Sequence, residues 1–560
     1  MTPASAYTLT SNSRRQFLLS AAITVAFALA LAMTLQAQTV SVVYNFGSQT
    51  GDPFQPFYSG IIAQGRDGNL YSGATGGLNN AGALFKLTPS GTLAVIYAFA
   101  NSTDGSNPNG GLTLGTDGNF YGTTYGGGFG GAPFGTVFKV TPQGALTNLY
   151  TFTAGTDGAL PLAPPIQGTD GNFYGVTCPG CNSQPGYGSI YKITSAGVFT
   201  TLYTCDTTLC GDPTGPLLQG KDGNFYGTST YGGATEQGTI FKITPAGVLT
   251  VIYNFDNTHG EYPIGGLVQG TDGNFYGTAL DGGTKGYGTI FKVTPAGRLT
   301  VLHNMNGASD GGAPYAGLVQ ATDGNFYGAN AYGGASSTNC PNGCGTIFRI
   351  SPTGSFKVIY NFDMTTGSLP YSSLFQHTNG LIYGMTQGGG SAGLGVVYSV
   401  NIGASTLASL VSTSGKVGKM IEVLGQGFTG TTKVSFGGAS ASFKVVSDGY
   451  LTATVPTGAT TAAVTITTPS GTLTSKQIFR VTPQVTGFSP TSGSVGTSVT
   501  ITGVSLTQAT KVTFGGVSAT FTVNSDTQIT ATVPTGAKTG KIGVTTPGGS
   551  ASSTANFTVM

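Results

Sequence analysis

Three observations predict an all-β fold, a seven-bladed β-propeller followed by two tandem Ig-like β-sandwiches. A unit of about 50 residues recurs from the first fifty residues to about residue 400. A second pattern then repeats at an offset of 78 residues. Between residues 40 and 400 no stretch carries the apolar periodicity of a helix.

The clearest marker of the first unit is Asp-Gly-Asn, beginning at Asp67, Asp117, Asp170, Asp222, Asp272 and Asp323, with a worn seventh copy at Thr378-Asn379-Gly380. Successive spacings are 50, 53, 52, 50 and 51 residues, then 56 to Asn379. Each period holds four short apolar runs; in the fifth copy they start at Leu267, Phe275, Thr289 and Leu299. Their β-branched and aromatic content favours strands. Asp-Gly-Asn joins the first two as a hairpin, and Thr-Pro-x-Gly (Thr294 to Gly297) joins the last two. Four antiparallel strands per period describe a propeller blade. The run from Val40 to Phe46 reads as a fourth strand with no blade before it, and Gly395 to Val400 as a third strand with none after it. The N-terminal strand is therefore expected to complete the seventh blade and leave no open edge.

The first 38 residues read as an export signal: Arg14-Arg15, an apolar run from Phe17 to Met33, and Leu35-Gln36-Ala37 before a cleavage point. Ser13-Arg14-Arg15-Gln16-Phe17-Leu18 resembles the twin-arginine signal, with an ordinary secretory signal as the alternative. The propeller is assigned residues 39–402 and the sandwiches residues 403–482 and 483–560, with Pro483 to Pro490 as linker. Val434-Ser435-Phe436-Gly437-Gly438 is echoed by Val512-Thr513-Phe514-Gly515-Gly516, and each sandwich is expected to hold about seven strands.

Only 8% of residues are charged and the net charge is +2, with no basic cluster beyond the N-terminus. This argues against nucleic acid or an anionic membrane as partner. No transmembrane span is expected in the mature chain. The compartment is extracellular or the cell surface, with the periplasm as alternative. The cysteines form three local pairs, Cys178/Cys181, Cys205/Cys210 and Cys340/Cys344. In an exported chain they read as loop-stapling disulfides, closed locally or bridging neighbouring loops of the third blade. A metal site at Cys178-Pro179-Gly180-Cys181 would need a second pair nearby.

Phe488-Ser489-Pro490-Thr491-Ser492-Gly493, with Val499 to Gly503 and Ala531-Thr532-Val533-Pro534, resembles the IPT/TIG domain. The first sandwich lacks the Ser-Pro step at its start. This resemblance implies a spacer or adhesive module on an exported bacterial protein and no catalysis. The Asp-Gly-Asn-Phe-Tyr-Gly-Thr and Gly-Thr-Ile-Phe-Lys phrases resemble the GloVer-type tandem repeat of exported bacterial proteins, over all seven copies. A looser resemblance to streptogramin-lyase-like propellers implies the fold without the lyase activity.

One face of such a propeller carries the Gly-rich gaps between second and third strands together with the connections between blades. Those connections place an acid shortly before a proline: Asp52, Asp104, Asp157, Asp212, Glu261 and Asp310. The gaps add Tyr125, Tyr231, Asp281 and Tyr332. Asp104, Asp157, Asp212, Asp310, Tyr125, Tyr231 and Tyr332 are the candidate ligand-binding residues, forming a mouth suited to a sugar or to calcium-assisted binding. The plainer alternative is that each Asp builds a turn and each Tyr packs on a neighbour. His259 and Glu261 share a connection and could pair as acid and base, but no nucleophile elbow, phosphate loop or zinc-helix motif occurs. The expectation is an exported, non-catalytic protein that binds a glycan or a protein partner without an obligatory cofactor or metal. A propeller enzyme of lyase or glycoside-active type, and a purely structural scaffold, are the alternatives.

Overall fold

The computed structural model describes residues 38–560, except 57–59, 101–103, 128–133 and 183–185. The expected export signal lies outside the described residues but for Gln38. The described chain is all-β; its only helical element is the short 3-10 turn Pro179–Asn182. No described helix is long and apolar enough to cross a membrane.

Seven four-stranded antiparallel sheets follow one another in the manner of a β-propeller. Sheets 1 to 6 span residues 63–98, 112–151, 166–204, 218–254, 268–304 and 319–361, each with its strands in sequence order. Sheet 7 takes three strands from residues 375–401 and its fourth from Thr39–Asn45, which pairs with Val396–Asn401 as expected.

The Phe-Tyr step of each repeat joins one sheet to the next. Tyr121 stacks on Phe173 with ring centroids 3.7 Å apart, Tyr174 on Phe225 at 3.9 Å and Tyr276 on Phe326 at 4.0 Å. Tyr71–Phe120 and Tyr226–Phe275 make the same contact at 4.2 Å. Such pairs add about 0.5–1.5 kcal/mol beyond the area they bury. The tyrosine is held in place from its other end. Its hydroxyl donates to the carboxylate of its own Asp-Gly-Asn turn at 2.7–2.9 Å in all six repeats that have the Asp. That same carboxylate accepts the Asn backbone N–H two residues on, so one aspartate shapes the hairpin and orients the ring. Each interface has its own apolar core, and the series returns on itself. Tyr44, Phe46, Tyr383, Met385 and Val397 of sheet 7 pack with Ile62, Leu70 and Phe85 of sheet 1.

A second set of bonds runs the same way. A glutamine in the first strand of one sheet accepts the N–H just before the Asp-Gly-Asn turn of the preceding sheet at 2.9–3.1 Å, from Thr116–Gln167 round to Thr378–Gln64. The connections just before the first strands approach closely: a Cβ on Gly265 would stand 2.7 Å from the backbone N of Gly317. At the seam between sheets 7 and 1, His377 stands in the turn. Its Nε2–H donates to the Gly68 carbonyl at 3.0 Å and its Nδ1 accepts from Asn379 N–H at 3.1 Å, which requires the neutral ring.

The C-terminal third forms two units, each of two sheets around one core. Residues 409–481 enclose Phe436 and Phe479, and residues 484–559 enclose Phe514 and Phe557; both ring pairs meet at 5.1 Å and are offset by 78 residues. Each unit holds nine strand segments rather than about seven, because short edge pairings add to the main strands. The expected linker is also shorter. Gln484–Ser489 is a paired strand of the last unit, leaving only Thr482-Pro483 between the units.

The first unit docks on the Asp-Gly-Asn end of the propeller-like array. Arg66 Nε donates to Glu422 at 3.0 Å and the guanidinium lies 5.2 Å from the Tyr450 ring centroid. Thr378 bonds Gly425 and Gln426, and Arg480 donates to the Gly220 carbonyl. Turns of sheets 1, 4 and 7 are thus bridged, and the opposite end stays uncovered by these contacts.

Tyr191 and Tyr398 occupy a third-strand position where the other five sheets have Phe, and their buried hydroxyls have no hydrogen-bond partner among the described residues. Tyr→Phe is therefore expected to have opposite signs at two sites. Tyr398→Phe should stabilise by about 1 kcal/mol, and Tyr226→Phe, which strips a partner from Asp222, should destabilise by about 1 kcal/mol. Denaturant midpoints of the two variants check this. Burial lowers the pKa of His377 below its ordinary 6.5. The seam contribution is therefore full above pH 6.5 and is lost as pH falls below it. His377→Ala should be less stable than the parent at neutral pH, and the gap should narrow on acidification in paired melts.

Candidate functional site

The uncovered end is built from the connections between sheets and the Gly-rich gaps. In each repeat one residue before a proline is left-handed: Gln55, Asn107, Leu160, Asp212, Tyr262, Ala313 and Leu369, with φ between 52 and 56°. A non-glycine residue there costs on the order of 1 kcal/mol and persists only where its surroundings hold it. Here the N–H donates to a gap carbonyl of the preceding sheet, as in Tyr262 to Gln237 and Gln55 to Leu394, while its own sheet's gap donates to its carbonyl, as in Leu280 to Tyr262. Such residues clasp two sheets at the rim; in sheet 3 the second bond goes to Ala159, the neighbour of Leu160.

This frame sorts the expected acids, which are not equivalent. Asp52, Asp104, Asp157 and Asp310 lie three residues before the left-handed position and accept from an aromatic of the preceding outer strand: Tyr44 at 2.6 Å, Tyr97 at 2.7 Å, Tyr150 at 3.1 Å and His303 at 3.0 Å. Asp52, Asp104 and Asp157 also accept backbone N–H groups of their own connections, as in Thr153 to Asp157, whereas Asp310 accepts from the Ser309 hydroxyl. Asp212 is itself left-handed, accepts from Gly180 N–H at 2.9 Å, and burial raises its pKa. Glu261 differs again. It forms a two-bond bridge with Asp281 (N···O 2.9 and 3.2 Å), which sets two carboxylates side by side. Burial and the charge of Asp281 raise the pKa of Glu261, and burial raises that of Asp281. His259 does not pair with Glu261; its ring bonds Asp256 at 2.8 Å.

The tyrosines sort likewise. Tyr231 and Tyr332 occupy the bridge position of their gaps, equivalent to Asp281, whereas Tyr125 is one residue earlier, donating its N–H to Asn107. Tyr332 is 47% exposed, and its hydroxyl meets that of Tyr371 at 2.7 Å. Tyr315 stands edge-on to Tyr371 at 4.6 Å. Tyr332 and Tyr315 belong to a cleft of about 980 Å³ between sheets 5 and 6, lined by Asp281, Tyr287, Asn342 and Asn361 among others. Tyr287 is 51% exposed. Tyr231 does not line the cleft; its ring meets that of Tyr262 at 5.5 Å. Asp104, Asp157, Asp212, Asp310 and Tyr125 do not line the cleft either. Tyr287 and Tyr315 are not among the expected residues; they lie outside the strands, in the gap of sheet 5 and in the connection to sheet 6.

Two disulfides close locally, Cys205–Cys210 and Cys340–Cys344, and Cys178 is also disulfide-bonded; the Cys181 side chain lies outside the described residues. The Cys340–Cys344 loop forms one wall of the cleft through Pro341 and Asn342, and its Cys344 carbonyl takes the Leu369 N–H. Among the described residues no three His, Cys, Asp or Glu side chains group to hold a metal ion. Among the described residues Asp281 is the sole charged one lining the cleft.

Facing like charges destabilise a strand pair, so Glu261→Gln is expected to stabilise the protein near neutral pH by about 0.5 kcal/mol. A raised folded-state pKa means the carboxylate's contribution is present in acid and lost as pH rises, so the variant's advantage should vanish in acid. Melting temperatures across pH test both halves.

No curated protein matches the sequence. Among solved structures, the chain is similar to a gluconolactonase from Xanthomonas campestris at 14% identity, covering 53% of this chain and 88% of that one with a TM-score of 0.34. A fungal alcohol oxidase in complex with copper matches at 14% identity over 79% and 98%, TM-score 0.42. A surface glycan-binding protein from Prevotella bryantii matches at 22% over 27% and 38%, TM-score 0.21. At these scores the likenesses carry nothing about function. The Gloeobacter/Verrucomicrobia repeat matches residues 27–219 and 212–446, and the IPT/TIG domain matches residues 483–559. With its repeat recognised over well more than half its length, the chain belongs to the Gloeobacter/Verrucomicrobia repeat family.

Proposed function

We propose that this is an exported, non-catalytic glycan-binding protein of the cell surface, with the cleft between sheets 5 and 6 as its binding site. The observation that carries the reading is the cleft itself: exposed Tyr287 and Tyr332 with Tyr315, edged by amide and hydroxyl groups, on the end that the C-terminal units leave free. Tyrosine faces stack on sugar rings while their hydroxyls bond, and the chain has no Trp for that task.

In this reading the seven sheets form a seven-bladed ring over residues 39–402. Residues 403–482 and 483–560 are two Ig-like modules that hold it at a distance or make adhesive contacts. The closed disulfides fit an oxidising compartment and an export signal over residues 1–38. One observation favours a second, hydrolytic reading: Glu261 and Asp281 are two neighbouring carboxylates with raised pKa values.

Titration calorimetry of residues 38–560 against neutral oligosaccharides tests the proposal. Binding is expected, with Tyr332→Ala and Tyr287→Ala each weakening Kd about tenfold. Chromatography of the same mixtures should return every oligosaccharide intact. Shortened products would replace the proposal with the hydrolytic reading, and silence across the panel would leave a scaffold.

A further inference from the structure

The position that Glu261 and Asp281 occupy is filled differently in the sheets around it. The bridging residues are Gly211 and Tyr231 in sheet 4, Gly312 and Tyr332 in sheet 6, Ser106 and Gly126 in sheet 2, and Ser368 and Gly388 in sheet 7. The fold is therefore served there by a small residue opposite a tyrosine or glycine. Sheet 5 alone among these sets two acids face to face, an arrangement that costs stability. Neither carboxylate has a basic partner among the ion pairs described, and no Lys or Arg lines the adjoining cleft. Tyr262, next to Glu261 in the chain, meets the ring of Tyr231 at 5.5 Å, and Tyr287 and Tyr332 line the cleft together with Asp281.

We infer that the cleft selects a glycan bearing a free amino group, with the sugar ammonium seated against Asp281, which lines the cleft, and its bridge partner Glu261. This rests on the glycan reading above and names its substrate class. A cation relieves the repulsion of the two carboxylates and makes charge-assisted hydrogen bonds to them. The neighbouring tyrosine faces attract the same cation through their ring quadrupoles. A sugar carboxylate or sulfate would meet only negative charge, so acidic glycans are rejected by the groups that hold the amine.

The test compares glucosamine, N-acetylglucosamine and galacturonic acid oligomers of equal length by calorimetry on residues 38–560. At about pH 6 the amine carries its proton. Glucosamine oligomers are expected to bind at least about tenfold more tightly than their N-acetyl counterparts, with uronate oligomers weakest. The ratio of amine to N-acetyl affinity should fall in Glu261→Gln and in Asp281→Asn, and approach one in the double variant. Circular dichroism melts would verify that each variant is folded. Equal affinity for the amine and N-acetyl forms, or a preference that survives the double variant, overturns this inference and leaves the glycan reading standing. No binding by any of the three overturns both.

Discussion

The contact on which the array depends is the tyrosine of the Phe-Tyr step, held at both ends. Its ring stacks on the phenylalanine of the following sheet while its hydroxyl is fixed by the aspartate of its own turn. Four-stranded sheets of this size cannot bury both faces alone, so each needs a neighbour at a set angle. A ring locked by its hydroxyl supplies that angle. The glutamine bonds repeat the direction in polar form, one sheet always reaching back to the previous turn. The rim clasps do the same at the far end. Contacts at inner strand, turn and rim, all three present at the interfaces from sheet 2 through sheet 6, leave the sheets little freedom to splay. The cleft between sheets 5 and 6 inherits that rigidity.

The repeat departs from its pattern where it has other tasks. Ile382 replaces the stacked Phe between sheets 6 and 7, and Leu70 replaces it at the seam between sheets 7 and 1, where His377 supplies a bond from turn to turn. Leu114 stands where other repeats place the glutamine, and Arg66, in the turn it would have served, turns to Thr116, Glu422 and Tyr450. The irregular turns thus gather where the chain's first strand meets its last sheet and where the first C-terminal unit docks. On the opposite end the departure is Glu261 with Asp281.

Much of this was legible in the sequence because turn chemistry is local. Asp-Gly-Asn and Thr-Pro-x-Gly fix hairpins through their own backbone, so period, strand order and the unpaired run at Val40 could be read directly. The all-β character and the recurrence of four-stranded sheets follow from them. The site was less legible. Acids grouped by nearness to a proline proved to occupy three different positions, since connections differ in length before the left-handed residue. Asp104 and Asp157 answer to a tyrosine in the preceding strand, a partner seven residues away that spacing alone does not reveal. Tyr125 and Tyr231 look alike in sequence, yet a one-residue offset sends them to different neighbours. The cleft exists only between two sheets, and no single repeat encodes it. The linker reading failed for a similar reason: Gln484–Ser489, flanked by prolines, is extended and finds a partner strand.

The seventh sheet draws its outermost strand from the start of the array and its other three from the end. A ribosome must therefore release some 350 residues after Asn45 before that strand meets its partner at Val396. Until then the growing array has an unsatisfied sheet face at each end, and the first strand waits as a loose apolar tail. Completion is an all-or-nothing event late in synthesis, so truncated products should carry both sticky ends. The same arrangement places strain applied at the two ends of the array along one antiparallel strand pair. Its six registered residue pairs would be sheared together rather than peeled one at a time.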